Sequence, residues 1–533
     1  MMIYPESSWS VLLRPVLYSV ICAMLCLCGA MEARSGPTDY YLDAVAGNDA
    51  DSGTSPASAW KSLAKVNATT FHPGDSLLLK SGSVWHGQLW PKGSGTEQGP
   101  IHVHKYADGP APRIDGKGTV EDAVLLKNQE FWEIEDLEVT NAAPDGKSTR
   151  RGVHVALDNF GDARHFVIRH LVVHDVSGRD DIKHNGGIIL TAAGEKKPSR
   201  FVDVLIEGNE VYHVDRNGIS TWSDRWQRSL WYPSLHVVVR GNRLRDIGGD
   251  GIMIAVTDGA LLERNTVSRA NQRSEGYNIA IWTWSADNSV IQFNEASETQ
   301  GQRDGEGFDS DWNSRNTLIQ YNYSHDNEGG FLLICDDGSQ RPVDSIGNIG
   351  TVVRYNISQN DRHRGITISG PVRDTLVYNN TLYFGSDGST DAVLFTDWSG
   401  WSNNTSFLNN IFYALGPARI GHAVSRAKDG AHASAPGLGD SSANRFDANT
   451  YFGHVNAADD PHASVIDPLF VDPGKGTLTR ESLHGYALKT GSPARRSGVA
   501  AMPTADIDFF STPVKNCTPP DRGAVQSSPC GAL

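Results

Sequence analysis

Apolar residues recur along this chain in short alternating runs, each closed by a polar turn. LIEGN-EVYHVDRNGIST, VVRGN-RLRDIGGDGIMI, LLERN-TVSRA, VIQFN-EASET, LIQYN-YSHDNEGGFLLI, VVRYN-ISQNDRHRGITI and LVYNN-TLYFG share one layout: an apolar strand, an Asn, a second strand and a polar turn. The asparagines are Asn209, Asn242, Asn265, Asn294, Asn322, Asn356, Asn380 and Asn410, with steps of 33, 23, 29, 28, 34, 24 and 30 residues. A period of roughly 20 to 50 residues built from short strands indicates coils stacked along one axis. The pattern predicts an all-β, single-stranded, right-handed parallel β-helix. In such a solenoid each strand pairs with its equivalents one coil above and below, and equal positions fall into columns. A column of buried asparagines is then structural, since each amide can bond its own turn and its neighbours.

Around these coils the pattern changes. Residues 16–31, VLYSVICAMLCLCGAM, form an apolar run preceded by Arg14 and ended by small residues, which predicts a signal peptide over residues 1–33. The run is short for a membrane span. The expected location is secreted or periplasmic, in a bacterium, with no membrane span left after cleavage. A short helix around Ala57 to Val66 is expected to cap the open N-terminal end of the core. The solenoid and its cap are placed at residues 34–415, and residues 416–533 form further coils and a closing segment of the same domain. Of the six cysteines, Cys22, Cys26 and Cys28 lie in the leader. Cys517 and Cys530 can close a C-terminal loop in an oxidising compartment, leaving Cys335 as an unpaired thiol at the end of a core strand. A metal-binding cysteine cluster is excluded.

The net charge of −15 with no Lys/Arg run argues against nucleic acid and biases the chain against polyanions. Aligning the second strands by their inward residues puts Ile219, Ile252, Ile279, Phe308, Phe331, Ile366 and Val393 in one column. One outer face then gathers acids, Trp, Tyr and Arg. At its centre is GEGFDSDW, which sets Asp309 and Asp311 at i and i+2 on one side of a strand, Cα atoms about 6.5 to 7 Å apart, with Glu306 in the adjoining turn. Carboxyl pairs at such separations serve glycoside hydrolysis, one protonated as acid and one ionised as base or nucleophile. Crowding of like charges raises one of the pKa values. Asp309, Asp311 and Glu306 are therefore the candidate catalytic residues, and a widely spaced pair implies inversion at the anomeric centre.

Asp250 offers an alternative acid two coils away. Tyr277 and Asp336 frame the site, His363 and Arg364 suit substrate hydroxyl or carboxylate groups, and Trp222, Trp282, Trp284 and Trp312 suit stacking on sugar rings. The expected partner is a poly- or oligosaccharide. No cofactor is required, although the clustered oxygen ligands would also admit Ca2+.

GNDADSGTSPASAWKSLAKV followed by PGDSLLLKSGSVW resembles the N-terminal cap of the secreted right-handed parallel β-helix carbohydrate-active proteins, the pectate-lyase-like superfamily. DPLFVDPGKG, ALKTGSPARRSGV and PPDRGAV are similar to their closing segment. The resemblance implies the fold and action on a polysaccharide, and its members include hydrolases, lyases and epimerases. GFDSDW is also similar to the G-F-D-P-H-D motif of alginate epimerases, with Asp309 matching the first Asp and Asp311 standing where that family has a His. The leading expectation is a glycoside hydrolase. The alternatives are a uronan lyase or C5-epimerase, served by Lys183, His184 and the NDRHRGIT cations, and a non-catalytic glycan-binding solenoid.

Overall fold

The computed structural model describes residues 36–301, 303–340, 345–387, 390–424, 434–476, 480–514 and 517–527. The expected leader over residues 1–33 lies outside them. Among the described residues, forty strands join one sheet. Their ladders are parallel except one short antiparallel pairing of Ile411–Ala423 with Ala435–Pro436.

Most coils contribute three strands. One coil, for example, consists of Asn217–Ser223, Ser234–Arg240 and Arg243–Ile247, and each of these pairs with its counterpart in the next coil. Parallel strands can stack this way only if every coil places the same kind of residue inward. The inner column runs Val124, Val153, Ile188, Ile219, Ile252, Ile281, Phe308, Leu332, Ile366, Val393, each fully buried. Each buried side chain contributes about 1.5–3 kcal/mol.

Two members of that column differ from the sequence expectation. Ile281, not Ile279, lies between Ile252 and Phe308, and Leu332, not Phe331, follows Phe308. The outward residues shift with them, so Trp282 is the neighbour of Asp309 and Trp284 the neighbour of Ala255.

The asparagine column forms as a hydrogen-bonded ladder. Each Nδ2 donates to the Oδ1 of the next Asn at 2.9–3.0 Å, from Asn209 through Asn410, and the same Oδ1 accepts the backbone N–H of the preceding Asn. The ladder runs one rung beyond the sequence expectation, to Asn449, and ends on the Asp460 carboxylate. The residue before every rung is left-handed. It is Gly at 208 and 241, but Arg264, Phe293, Tyr321, Tyr355, Asn379, Asn409 and Ala448 hold φ of 53 to 59° without being glycine. Such a residue costs about 1–2 kcal/mol, and the ladder bonds at each corner offset that cost.

At the N-terminal end the expected helix is a 3-10 turn, Pro56–Ser58, and a single short helix, Leu63–Asn67, started by the Ser62 hydroxyl. Leu63 and Val66 pack into the main core beside Trp60 and Phe71. Thr38–Leu533 is one compact unit, and the strand Ile411–Ala423 runs through position 415. Beyond Val455 an irregular segment folds back on the coils. Its Phe470, Leu483, Tyr486 and Phe509 bury against Tyr323, Ile357, Tyr383 and Ile411. Cys517 is disulfide-bonded and Cys335 is free and buried, while Cys530 lies outside the described residues.

Candidate active site

A cavity of about 1100 Å³ opens on the outer face of the strands that include Ile281–Asp287, Glu306–Ser310 and Gly330–Cys335. Its floor is an outward apolar cluster of Met253, Ile279, Trp282, Leu333 and Cys335, with Trp284 packed against it. Carboxyl groups set into that floor lose water on most sides, which disfavours their charged form.

Four acids of the DGEGFDSD stretch respond differently. Asp304 and Asp311 are half-buried and line the cavity. Asp309 also lines it but is almost fully buried between Trp282 and Leu333, with its Oδ1 lacking a hydrogen-bond partner among the described residues. Glu306 is fully buried, does not line the cavity, and pairs with the Arg364 guanidinium at 3.2 Å.

Burial is the largest effect on all four. It raises Asp304 against the pull of Arg364 and Lys183, Glu306 to about 7 against Arg364, and Asp311 against its two hydrogen-bond donors. It drives Asp309 well above the usual carboxylate range, with further repulsion from Asp311 and Asp304. Asp311 alone among the four is shown receiving two donors on one oxygen: the Trp312 N–H and the Cys335 thiol each lie 2.7 Å from its Oδ1.

Behind these acids the third strand of each coil carries Ser324 and Ser358 where earlier coils carry Val267 and Ala296. Ser324, Ser358, Asn327 and Asp361 form a buried polar island, in which Asp361 accepts from the Ser358 hydroxyl at 2.7 Å and the Asn327 amide at 2.8 Å.

The walls come from turns. Lys183 reaches over from the segment before the strand Gly186–Ala193, pairs with Asp250 at 3.0 Å, donates to the Tyr277 carbonyl at 2.7 Å and lies over the Trp282 ring. Asp250 is fully buried and accepts from Trp282 Nε1 and the Ile279 N–H, so it fixes the floor rather than facing the cavity. On another wall, residues 224–233 fold across later coils and are locked by Arg228. Its guanidinium binds buried Asp287 at 2.6 and 3.1 Å and Asn313 at 2.6 and 2.9 Å. That loop sets Trp226 against Trp284 and Trp312, ring centroids 6.1 and 5.4 Å away.

Of the residues expected at the site, Asp309, Asp311, Trp222, Trp282, Trp284, Trp312, Tyr277, His363 and Arg364 line the cavity. Glu306, Asp250 and Asp336 do not, because burial and their partners hold them behind its surface. Asp304 was not among those expected. It sits in the turn before Glu306–Ser310, outside the strand columns from which candidates were drawn, and only the crowding of acids in D-G-E-G-F-D-S-D signals it.

Among the described residues, two groups could hold a cation. Ligand atoms of Asp309, Asp311 and Cys335 lie within 4.8 Å of one another, as do those of His102, Glu133 and Glu135 elsewhere on the surface. A thiol with two carboxylates is a poor match for Ca2+, which prefers an all-oxygen shell.

A family profile described as right handed beta helix region matches residues 155–412. The chain is 27% identical to a lacto-N-biosidase of Bifidobacterium longum subsp. longum over 92% of its own length, and spans about a third of that relative, 36%. Among solved structures it is similar to the GH136 lacto-N-biosidase from Eubacterium ramulus, at 21% identity and a TM-score of 0.56, covering 80% of this chain and 68% of that one. It is also similar to XylC in complex with xylose, at 11% identity and a TM-score of 0.51, covering 93% and 99%. Strand order, ladder register and these matches together place the chain among the right-handed parallel β-helix proteins.

Proposed function

We propose that the chain is an exported glycoside hydrolase acting on an oligosaccharide, with Asp304 and Asp311 as its working carboxyl pair. The observation that carries this reading is that these two acids are half-buried in an aromatic-walled cavity and are both held well above the usual carboxylate range. A glycosidase needs one such group protonated and the other ionised. Burial raises both acids alike, so the roles are assigned by hydrogen bonding: the two donors on Asp311 Oδ1 favour the carboxylate there, making it the nucleophile or the base that activates water. Asp304, desolvated, supplies the proton to the leaving oxygen. Asp309 stays neutral on the floor and offers its proton to a substrate hydroxyl, which limits the number of negative charges crowded into the cavity.

Trp222, Trp284 and Trp312 give flat apolar surfaces for sugar rings. The likeness to lacto-N-biosidases supports an oligosaccharide substrate. No helix among the described residues is long and apolar enough to cross a membrane, and the leader read from the sequence supports export.

Purified protein assayed on lacto-N-biose-containing and xylose-containing oligosaccharides tests the reading. The expected result is a new reducing end without ultraviolet absorbance, and loss of at least a hundredfold in kcat for Asp304→Asn and Asp311→Asn, on the order expected for removing a general acid or base. An unsaturated, absorbing product would favour a lyase, and full activity in both variants would overturn the assignment.

A further inference from the structure

Cys335 ends the strand Gly330–Cys335, is about 2% exposed and lines the cavity. On its C-terminal side its ladder partners are hydroxyl residues, Ser369 and then Thr396. Toward the N-terminus, Asp311 continues the coil after Trp284, bonding to the Thr283 carbonyl. Asp311 thus stands between the indole of Trp284 and a thiol that is followed by hydroxyls.

The contact between Asp311 and Cys335 is specific. Cys335 Sγ and the Trp312 backbone N both lie 2.7 Å from Oδ1 of Asp311, while the Asn348 amide holds the Asp311 carbonyl at 3.2 Å. Backbone and one carboxylate oxygen are therefore both pinned, and no hydrogen bond shown occupies Oδ2. Resting on the hydrolytic role proposed for Asp311, we infer that Cys335 is a positioning residue whose thiol proton selects the Asp311 oxygen presented to the substrate.

A thiol suits this task in two ways. Burial and the adjoining acids raise Cys335 well above its ordinary range, so it remains a protonated donor at neutral pH. A thiol is also a weak donor, so it orients the carboxylate while drawing less charge from it than a hydroxyl or ammonium would. The charged or titratable groups acting on Asp311 besides Cys335 are Asp304, Asp309 and Lys183.

The test compares Cys335→Ala, Cys335→Ser and Asp311→Asn in the full chain, by kcat, KM and pH profile on whichever oligosaccharide the wild type cleaves. Cys335→Ala is expected to lower kcat about tenfold with KM unchanged. It should also move the acid limb to higher pH, because ionised Asp311 loses a donor. Cys335→Ser is expected to restore most of kcat and return the limb toward the wild-type position. Should Cys335→Ala fail to fold, the infrared S–H stretch of the otherwise wild-type protein reads the same bond, and it is expected to move to higher frequency in Asp311→Asn.

An unchanged kcat and acid limb in Cys335→Ala, with Asp311→Asn inactive, overturns the inference. An unmoved S–H band does the same, as does stoichiometric metal in the purified protein whose removal abolishes activity. Asp311→Asn retaining full activity overturns the hydrolytic reading instead.

Discussion

The Arg364 guanidinium lies 3.2 Å from the Glu306 carboxylate and also donates to the carbonyls of Arg303, Asp304 and Gly329, so one side chain ties the turn bearing Asp304 to a coil further along. Removing it leaves a buried acid uncompensated and the turn untethered. Arg364→Met is expected to cost about 3 kcal/mol of stability and to lower kcat. Adding Glu306→Gln should recover most of the stability in denaturant melts, since the unpaired charge is gone, but not kcat, since the carbonyls of the turn still lack their donor.

Stability should fall as pH rises from about 6.5 to 9. His325 is raised to about 9 by Asp326 and Glu295 against the opposing effect of its burial. A group whose folded pKa lies above its unfolded value contributes fully below the unfolded value, and that contribution disappears as pH climbs through the folded one. Glu306, raised to about 7, acts in the same direction because the folded protein holds its proton longer than the unfolded chain. His184, lowered to about 4, acts oppositely, but below the window. Melting temperature measured at pH 6.5 and 9 should show the decline, and His325→Gln should remove the part of it above pH 7.

The proposed sugar platform of Trp284 and Trp312, packed against Trp226, can be disturbed from a distance. Trp284→Ala is expected to raise KM about tenfold, close to 1.5 kcal/mol. Arg228→Met, at a residue that does not line the cavity but holds the 224–233 loop, should raise KM similarly while leaving the acid limb of the pH profile in place. An unaffected KM in both variants would remove the tryptophans from substrate binding.

Asn322→Ala breaks the ladder at mid-height. It removes the acceptor for both the backbone and side-chain N–H of Asn294, and the donors to Ile291 and Asn356. An expected loss of about 3 kcal/mol follows from leaving buried polar groups unpaired, read as a lower midpoint in urea. Asn403→Ala, whose amide bonds the Ser442 hydroxyl on the exposed surface, is the control and should change little.

The ladder was legible because a column repeats: Asn recurs at coil spacing, so the periodicity alone finds eight rungs. The ninth, Asn449, follows a step of 39 residues that no neighbouring step suggests. The strand register was legible only where apolar and polar residues alternate. In YNIAIW both Ile279 and Ile281 satisfy alternation, and pairing with Phe308 selects Ile281. In GGFLLIC a continuous apolar run carries no alternation at all, and Leu332 is inward because Glu306 pairs with Gly330. The aromatic and acidic face was legible from residue type, but which acids reach the cavity depends on turn geometry. Asp304 comes forward and Glu306 turns back although they are two residues apart.

The ladder of side-chain amides has a direction. Every rung donates toward the C-terminal end and accepts from the N-terminal side, so the amide dipoles add head to tail along the solenoid axis, as peptide dipoles do in a helix. Hydrogen bonds in such a file polarise one another, and the file finishes with its positive end on the anionic side chain of Asp460. The solenoid thus carries an axial polarity terminated by a counter-charge, and neutralising that charge with Asp460→Asn should loosen the C-terminal rungs first, an asymmetry that amide hydrogen exchange would resolve coil by coil.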